Sequence, residues 1–520
     1  MPIRPFAQIA QTMTAQNTSE TPATPAAFLQ RSQSSFIDGA FVAPGAHYRV
    51  AVFDPATDTR CGDVLEADAA EVDRAVRSAR AAFEDGRWSG LTVEQRQAVL
   101  MRIHDALLAH KDELSAIESA ATGIPIGQVR GFYIPRAAYN FKFFAEFIGQ
   151  VGGDVYTQEP GYITTVIREP VGVAALLGPW NAPTTLCSMK VAAAIAFGNS
   201  CVVKPSEVAA AGMQRFMEIV HAAGLPPGVV NLVNGRGPVT GVALVEHPSV
   251  DVVSFTGGTT TGRAILASAA KGLKATTMEL GGKSASIICA DADLERALDA
   301  ALLGIYGGNG QQCLAGSRIL VERSIADDFI AAFVERVKKL KIGVPGDPAT
   351  EVGPLASKAH MERVLSYVDV ARAEGAQVLA GGRRIEAMGE GYYIEPVVVR
   401  ADSNAQRICQ EEIFGPFATF VTFDTFEEAI AIANDSAFGL VGYVWTTHLD
   451  KAHLAMRKLR TGTVWINTPV VRDLRSAFGG FRESGIGREG GKGCMALYTE
   501  EKTSMVAIAP MPIRKLGMGA

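Results

Sequence analysis

At 520 residues, with 48% hydrophobic and 20% charged residues and a formal net charge of −5, the chain has the composition of an ordinary globular protein. It is longer than one hydrophobic core supports, so two or more domains are expected. No basic block is present to hold nucleic acid, no apolar run reaches the roughly 18–20 residues of a membrane span, and neither partner is expected.

Seven cysteines without CxxC or CxxxC spacing argue against a zinc site or a disulfide framework, so no metal is expected. Their odd number, with no signal peptide, points to a reducing, cytoplasmic compartment. Residues 1–34 are rich in Ala, Thr, Ser, Pro and Gln and nearly uncharged, which predicts a disordered tail. A targeting segment or a start at Met13 are the alternatives.

From FIDGAFV (36–42) onward, strand-like and helix-like segments alternate. VGVAALLGPWN (171–181) reads as an apolar strand ending in a Pro-Trp-Asn turn, followed by a helix to about Phe197. The strand SCVVKP, the helix AAAGMQRFMEIVHAAG and the strand VVNLVNG come next. After another helix stands the strand VDVVSFTGG (250–258), then the helix TTTGRAILASAAK. Apolar strands separated by helices predict βαβ units and a parallel sheet, so the fold class is α/β. In such sheets ligands bind at the carboxyl ends of strands, where loops feed helix N-termini.

Four glycine-rich or charged stretches sit at or near such ends. FTGGTTTG (255–262) is the phosphate-side candidate, because glycine lets the backbone approach closely and the next helix offers free N–H groups; by itself it also reads as a tight turn. It is not GxGxxG. KPSE (204–207) places Lys204 and Glu207 where they could bond ribose hydroxyls, or form a solvated surface pair. MELGGKSA (278–285) sets Glu279 between an apolar stretch and a Gly-Gly turn, which suits a base of raised pKa; a capping role or pairing with Lys283 is the alternative. GNGQQCLAGSR (308–318) holds Cys313 among neighbours too polar for a core strand. All eight histidines lie outside these motifs, so a Cys–His pair has little support.

Together, PWN (179–181), KPSE, FTGGTTTG, MELGGKSA, GQQC with AGSR, EEIFGPF (411–417) and FGGFRESGIGREGG (478–491) resemble, in order, the motifs of the NAD(P)-dependent aldehyde dehydrogenase superfamily, over about residues 35–508. The resemblance implies a Rossmann-like NAD-binding domain over 35–147 and 171–281, and an α/β catalytic domain over 282–482. It also implies a β-hairpin oligomerisation arm over 148–170 and 483–510, and with it a homodimer or homotetramer. Cys313 would attack a small-molecule aldehyde, and Asn181 with the Cys313 N–H would hold the oxyanion. Hydride would pass to nicotinamide, and Glu279 would activate water to hydrolyse the thioester. Lys190 resembles a lysine used near that site.

By the same matching, Lys204 and Glu207 resemble adenosine-ribose contacts and Glu412 the nicotinamide-ribose contact. Phe414 would face the nicotinamide, and Trp180, Gly257, Gly258 and Leu280 would line the cofactor path. Glu207 favours NAD, with NADP as the alternative, since a carboxylate repels a 2′-phosphate. VVRDLRSAFGG (470–480) and FYIPRAAYNFKFF (132–144) look most like the branch that oxidises muconic semialdehydes, where Arg136 and Arg472 would bind the substrate carboxylate. The stretch SAFGG departs from that branch, which leaves a broad aliphatic or aromatic aldehyde specificity open. A non-redox cysteine acyl hydrolase and a catalytically silent binding protein are further alternatives.

Overall fold

Apolar runs such as Val173–Leu177, Ser200–Lys204 and Val252–Thr256 are buried along their whole length, which only a sheet covered on both faces permits. The computed structural model describes residues 28–468 and 470–518. Its first large sheet has eight strands in the spatial order Gly485–Ile486, Ala275–Glu279, Val252–Thr256, Val173–Leu177, Ser200–Lys204, Val230–Leu232, Phe36–Ile37 and Ala40–Phe41. The five from Ala275–Glu279 to Val230–Leu232 run parallel. Chain order moves outward in one direction from Val173–Leu177 to Val230–Leu232, then resumes on the other side with Val252–Thr256. That reversal creates a ligand crevice at the carboxyl ends of the strands, and PWN, KPSE, FTGG and ELGG all follow those ends.

A second sheet has seven strands, in the order Gln377–Ala380, Val397–Arg400, Phe417–Phe423, Arg318–Glu322, Ala285–Ile288, Val441–Trp445 and Thr463–Ile466. All run parallel except the first. Cys313 precedes Arg318–Glu322, and Glu412 and Phe414 precede Phe417–Phe423, so these residues lie at the amino ends of this sheet. In a separate three-stranded sheet, Tyr162–Pro170 pairs with Thr499–Ala507 on one side and Asp154–Tyr156 on the other, and the Thr499–Ala507 strand is mostly exposed.

Two boundaries differ from the sequence expectation. Residues 28–34 are not a free tail: Phe28 and Leu29 are buried against Ile117, Ala121 and Ala211, and Ser32–Gln33 pairs with Asp63 and Val64. Two large apolar side chains at the end of a polar stretch provide that anchor; residues 1–27 of the expected tail lie outside the described residues. At the other end, Gly485–Ile486 pairs with Met278 and Glu279 at the edge of the first sheet, and the helix Gly491–Tyr498 packs on Pro183–Ala196. The chain thus returns to the first sheet before joining the three-stranded sheet at Thr499, a detour that a two-residue edge strand among glycines hides from any periodicity.

The helix Pro183–Ala196, which follows PWN, has Pro183 in its first turn and no capping side chain of its own. Glu118, from the helix Lys111–Thr122, takes that place across the fold, accepting from the Thr184 N–H at 3.2 Å. It is buried, and desolvation pushes its carboxyl up to about 7. A raised folded-state pKa means that the neutral acid favours the folded state, so the contribution of Glu118 to stability is fullest below about pH 4.5 and is lost as pH rises towards 7. Glu118→Gln removes the ionisation, so its apparent Tm relative to wild type should rise by a few degrees between pH 5 and pH 8; a pH-independent difference in differential scanning fluorimetry would refute this.

Candidate active site

The carboxyl ends of the first sheet face the amino ends of the second across a cavity of about 910 Å³, whose lining includes Asn181, Cys313, Arg136, Arg472 and Glu489. Cys313 is presented by a turn in which Gly308, Asn309 and Gly310 are all left-handed. Asn309 is buried and pins that turn: its amide donates to the Gly123 and Pro354 carbonyls at 2.9 Å each and accepts from the Gly353 N–H at 2.7 Å. The Gly-Gly pair after Leu280 is a steric requirement. A Cβ on Gly282 would strike the Cys313 carbonyl, and one on Gly281 would strike the Glu412 carboxylate.

Burial shifts the titrating groups here. Burial, reinforced by Glu412 and Glu279, pushes the Cys313 thiol up to about 12, against the pull of Arg472. Glu279 is 5% exposed, and among the described residues neither of its carboxylate oxygens has a hydrogen-bond donor. Burial first, then the neighbouring charge of Glu489, lift its carboxyl well above the usual range, while Lys190, Arg472 and Arg488 oppose. Lys190 does not pair with it: its ammonium is committed to Glu489 Oε1 at 2.7 Å and Ser254 Oγ at 3.0 Å. Nor does Lys283, which is buried with its own Nζ unpartnered, so the pairing alternative drawn from the sequence does not hold. Glu489 was not singled out from the sequence, although a carboxylate among the glycines of SGIGREGG carries the same signal as Glu279 in MELGG. The Asn181 amide donates to the Gln311 carbonyl at 2.7 Å, which holds it beside the cysteine turn.

On the first sheet's side, Lys204 is buried, its Nζ donating to the Pro205 carbonyl at 2.9 Å and lying 3.7 Å from Glu207. Burial depresses the lysine pKa and Glu207 opposes this. The helix Thr259–Ala270 begins at Gly258 without a side-chain cap, leaving its first N–H groups for an anion. The buried Thr256 hydroxyl beside it has no partner among the described residues. Leu280 packs on Gly262 of the same helix. Across the cleft, the Trp180 and Phe414 rings meet edge to face at 5.4 Å.

His360 completes that aromatic cluster, 5.2 Å from Trp180, although the sequence reading placed every histidine outside the motifs. Burial pushes it down to about 4, so the neutral ring donates through Nε2 to the carbonyl of Phe414 at 2.7 Å, supporting a left-handed phenylalanine (φ +65°). Arg363 donates to the carbonyls of Glu412 and Ile413, and Glu412 accepts from the Gly282 N–H at 2.9 Å. These groups fit a dinucleotide: a lysine and glutamate for hydroxyls at one end, an uncapped helix for a diphosphate, and a carboxylate with aromatic rings near the thiol.

Arg136 and Arg472 meet in the same cavity. Neither forms an ion pair among the described residues. The Arg472 guanidinium carbon lies 3.5 Å above the centre of the Phe478 ring, and Arg136 is pushed down to about 10 by burial and then by the charge of Arg472. The two half-buried guanidinium groups share the cavity with Glu489, whose charge acts on both, and an anion that joined them would relieve their repulsion further.

Residues 41–504 match the model of the aldehyde dehydrogenase family. The chain is 40% identical over 481 residues to a 2-hydroxymuconic semialdehyde dehydrogenase from Pseudomonas sp. strain CF600, covering 91% of this chain and 99% of the relative. It is 42% identical over 443 residues to the 5-carboxymethyl-2-hydroxymuconate semialdehyde dehydrogenase of Escherichia coli, covering 84% and 93%. The solved betaine aldehyde dehydrogenase of Staphylococcus aureus in complex with NAD+ superposes with a TM-score of 0.90 at 38% identity, over 94% of this chain and 97% of that one. With a family match over most of its length and relatives near 40% identity, the chain belongs to the aldehyde dehydrogenase family.

Proposed function

We propose that this chain oxidises an aldehyde bearing a carboxylate, a muconic-type semialdehyde, to the corresponding acid with NAD. The observation that carries the substrate class is the pair Arg136 and Arg472, unpaired and mutually repelling in the cavity that holds Cys313. A carboxylate bridging two guanidinium forks relieves that repulsion and fixes the substrate's orientation by parallel hydrogen bonds. Overall identity does not choose the substrate, because a betaine aldehyde dehydrogenase is about as similar as the semialdehyde enzymes. Broad aldehyde oxidation is the second reading, favoured by the apolar lining of Phe132, Leu186, Met189 and Val470.

In this mechanism the Cys313 sulfur, as thiolate, bonds to the aldehyde carbon. The thiol, which burial pushes up to about 12, gives its proton to water in the cavity as it attacks, and the Asn181 amide and the Cys313 N–H stabilise the oxygen as it gains charge. When bound, NAD supplies the acceptor for the hydrogen and electron pair lost by that carbon. Cys313 is left as a thioester. Glu279, whose raised carboxyl holds a proton readily, takes one from water; the hydroxide adds to the thioester carbon and the thiolate leaves. Lys204, Glu207 and the Thr259–Ala270 N-terminus hold the nucleotide, with Glu412 and Phe414 at its reactive end. The exposed strand Thr499–Ala507 and its hairpin support assembly into a homodimer or homotetramer through the arm.

Cys313→Ser is expected to abolish NADH formation at 340 nm. Glu279→Gln should retain a single stoichiometric burst and lose on the order of 100-fold in steady-state turnover, as a thioester accumulates; equal loss of burst and turnover would assign the glutamate an earlier role. Arg472→Ala should raise KM for 2-hydroxymuconic semialdehyde at least tenfold with a much smaller effect on hexanal. Equal effects on both aldehydes would favour the broad reading.

A further inference from the structure

We propose that Asn140 is a positioning residue that sets how Arg136 presents itself to the substrate, and so tunes selectivity for the distance between carboxylate and aldehyde. This rests on the reading that Arg136 and Arg472 bind a carboxylate. Asn140 lies one helical turn after Arg136 in Ile134–Ile148 and is fully buried. Its Nδ2 donates to the Thr185 carbonyl at 3.1 Å and to Ser188 Oγ at 3.0 Å. Ser188 spends its own hydroxyl proton on the Thr185 carbonyl, at 2.9 Å. Both partners of Nδ2 are therefore acceptors, and the amide can face only one way. Its Oδ1 then accepts from Arg136 Nε at 3.0 Å.

Taking Nε–H removes the side-on mode in which a guanidinium binds a carboxylate through Nε and one Nη. The end-on mode, through both Nη groups, is left for the substrate. The other end of the amide is anchored on Pro183–Ala196, the helix that follows Asn181 and carries Lys190. Hydrogen bonds thus tie Arg136 through Asn140 to the first two turns of that helix, and the chain itself links the helix to Asn181, two residues before its start. Arg472 has a different mount, the Phe478 face, which leaves its hydrogen-bonding edge free.

The test is steady-state kinetics with NAD on succinic semialdehyde, 5-oxopentanoate, 6-oxohexanoate and hexanal, in wild type, Asn140→Ala, Asn140→Asp, Arg136→Ala and Arg472→Ala. Asn140→Ala is expected to lower the kcat/KM ratio of the best oxoacid over hexanal about tenfold, through KM rather than kcat, and to flatten the dependence on chain length. Asn140→Asp should lower the ratio further, because its carboxylate competes for Arg136. A partly folded preparation scales all four aldehydes together and leaves the ratio intact, so a merely structural role for Asn140 predicts no change in it. An unchanged ratio in Asn140→Ala beside a reduced one in Arg136→Ala overturns the role of Asn140 alone. A ratio unmoved in both arginine variants overturns the clamp, and Asn140's role with it.

Discussion

Glu279 brings two carboxylate oxygens into the interior without a hydrogen-bond donor among the described residues, and the surrounding site is organised by that uncompensated burial. Water would solvate such a group and leave it a weak base; a dry cavity raises its proton affinity. Three cations stand nearby, yet none neutralises it. Lys190 is held by Glu489, and Glu489 adds its own negative field to the desolvation. The same burial pushes the Cys313 thiol up and the Arg136 guanidinium down. One physical condition, burial, therefore shifts the carboxyl, the thiol and the guanidinium together, each towards its neutral form.

Close backbone approach is what lets two sheets share that cavity. The carboxyl ends of one and the amino ends of the other meet where Gly281 and Gly282 pass between Glu412 and the Cys313 carbonyl, a gap with no room for a Cβ. Asn309 locks the facing turn with three hydrogen bonds to residues on other segments, so the thiol sits on a braced backbone. The bracing extends to Phe414, whose strained carbonyl is held by His360 and whose ring packs on Trp180. Catalytic groups placed on rigid supports lose little freedom when substrate arrives.

Much of this was legible along the chain, because the informative signals are local. Apolar strands ending in PWN, KPSE, FTGG and ELGG predict a parallel sheet and its ligand edge, and the strands Val173–Leu177, Ser200–Lys204 and Val252–Thr256 occupy those positions. Cys313 and Glu279 stood out by being polar in the wrong company. Glu489, His360, Asn140 and Glu118 did not, since each acquires its meaning from a partner far along the sequence: Glu489 is 299 residues from Lys190, and Glu118 is 66 from Thr184. The anchoring of Phe28 and Leu29 and the return of Gly485–Ile486 to the first sheet were missed for the same reason, two-residue contacts being too short to leave a period.

By itself the sequence determined which segments could be strands, where glycine permits a turn, and which side chains have the chemistry to act as nucleophile, base and clamp. Those properties reside in single residues and their immediate neighbours. Tertiary structure alone decided the protonation and orientation of those side chains: that Lys190 serves Glu489 rather than Glu279, that Arg136 and Arg472 confront one another, that an asparagine amide points its oxygen at an arginine. Electrostatics and hydrogen bonding depend on distance through space and on the exclusion of water, and neither is written in chain order.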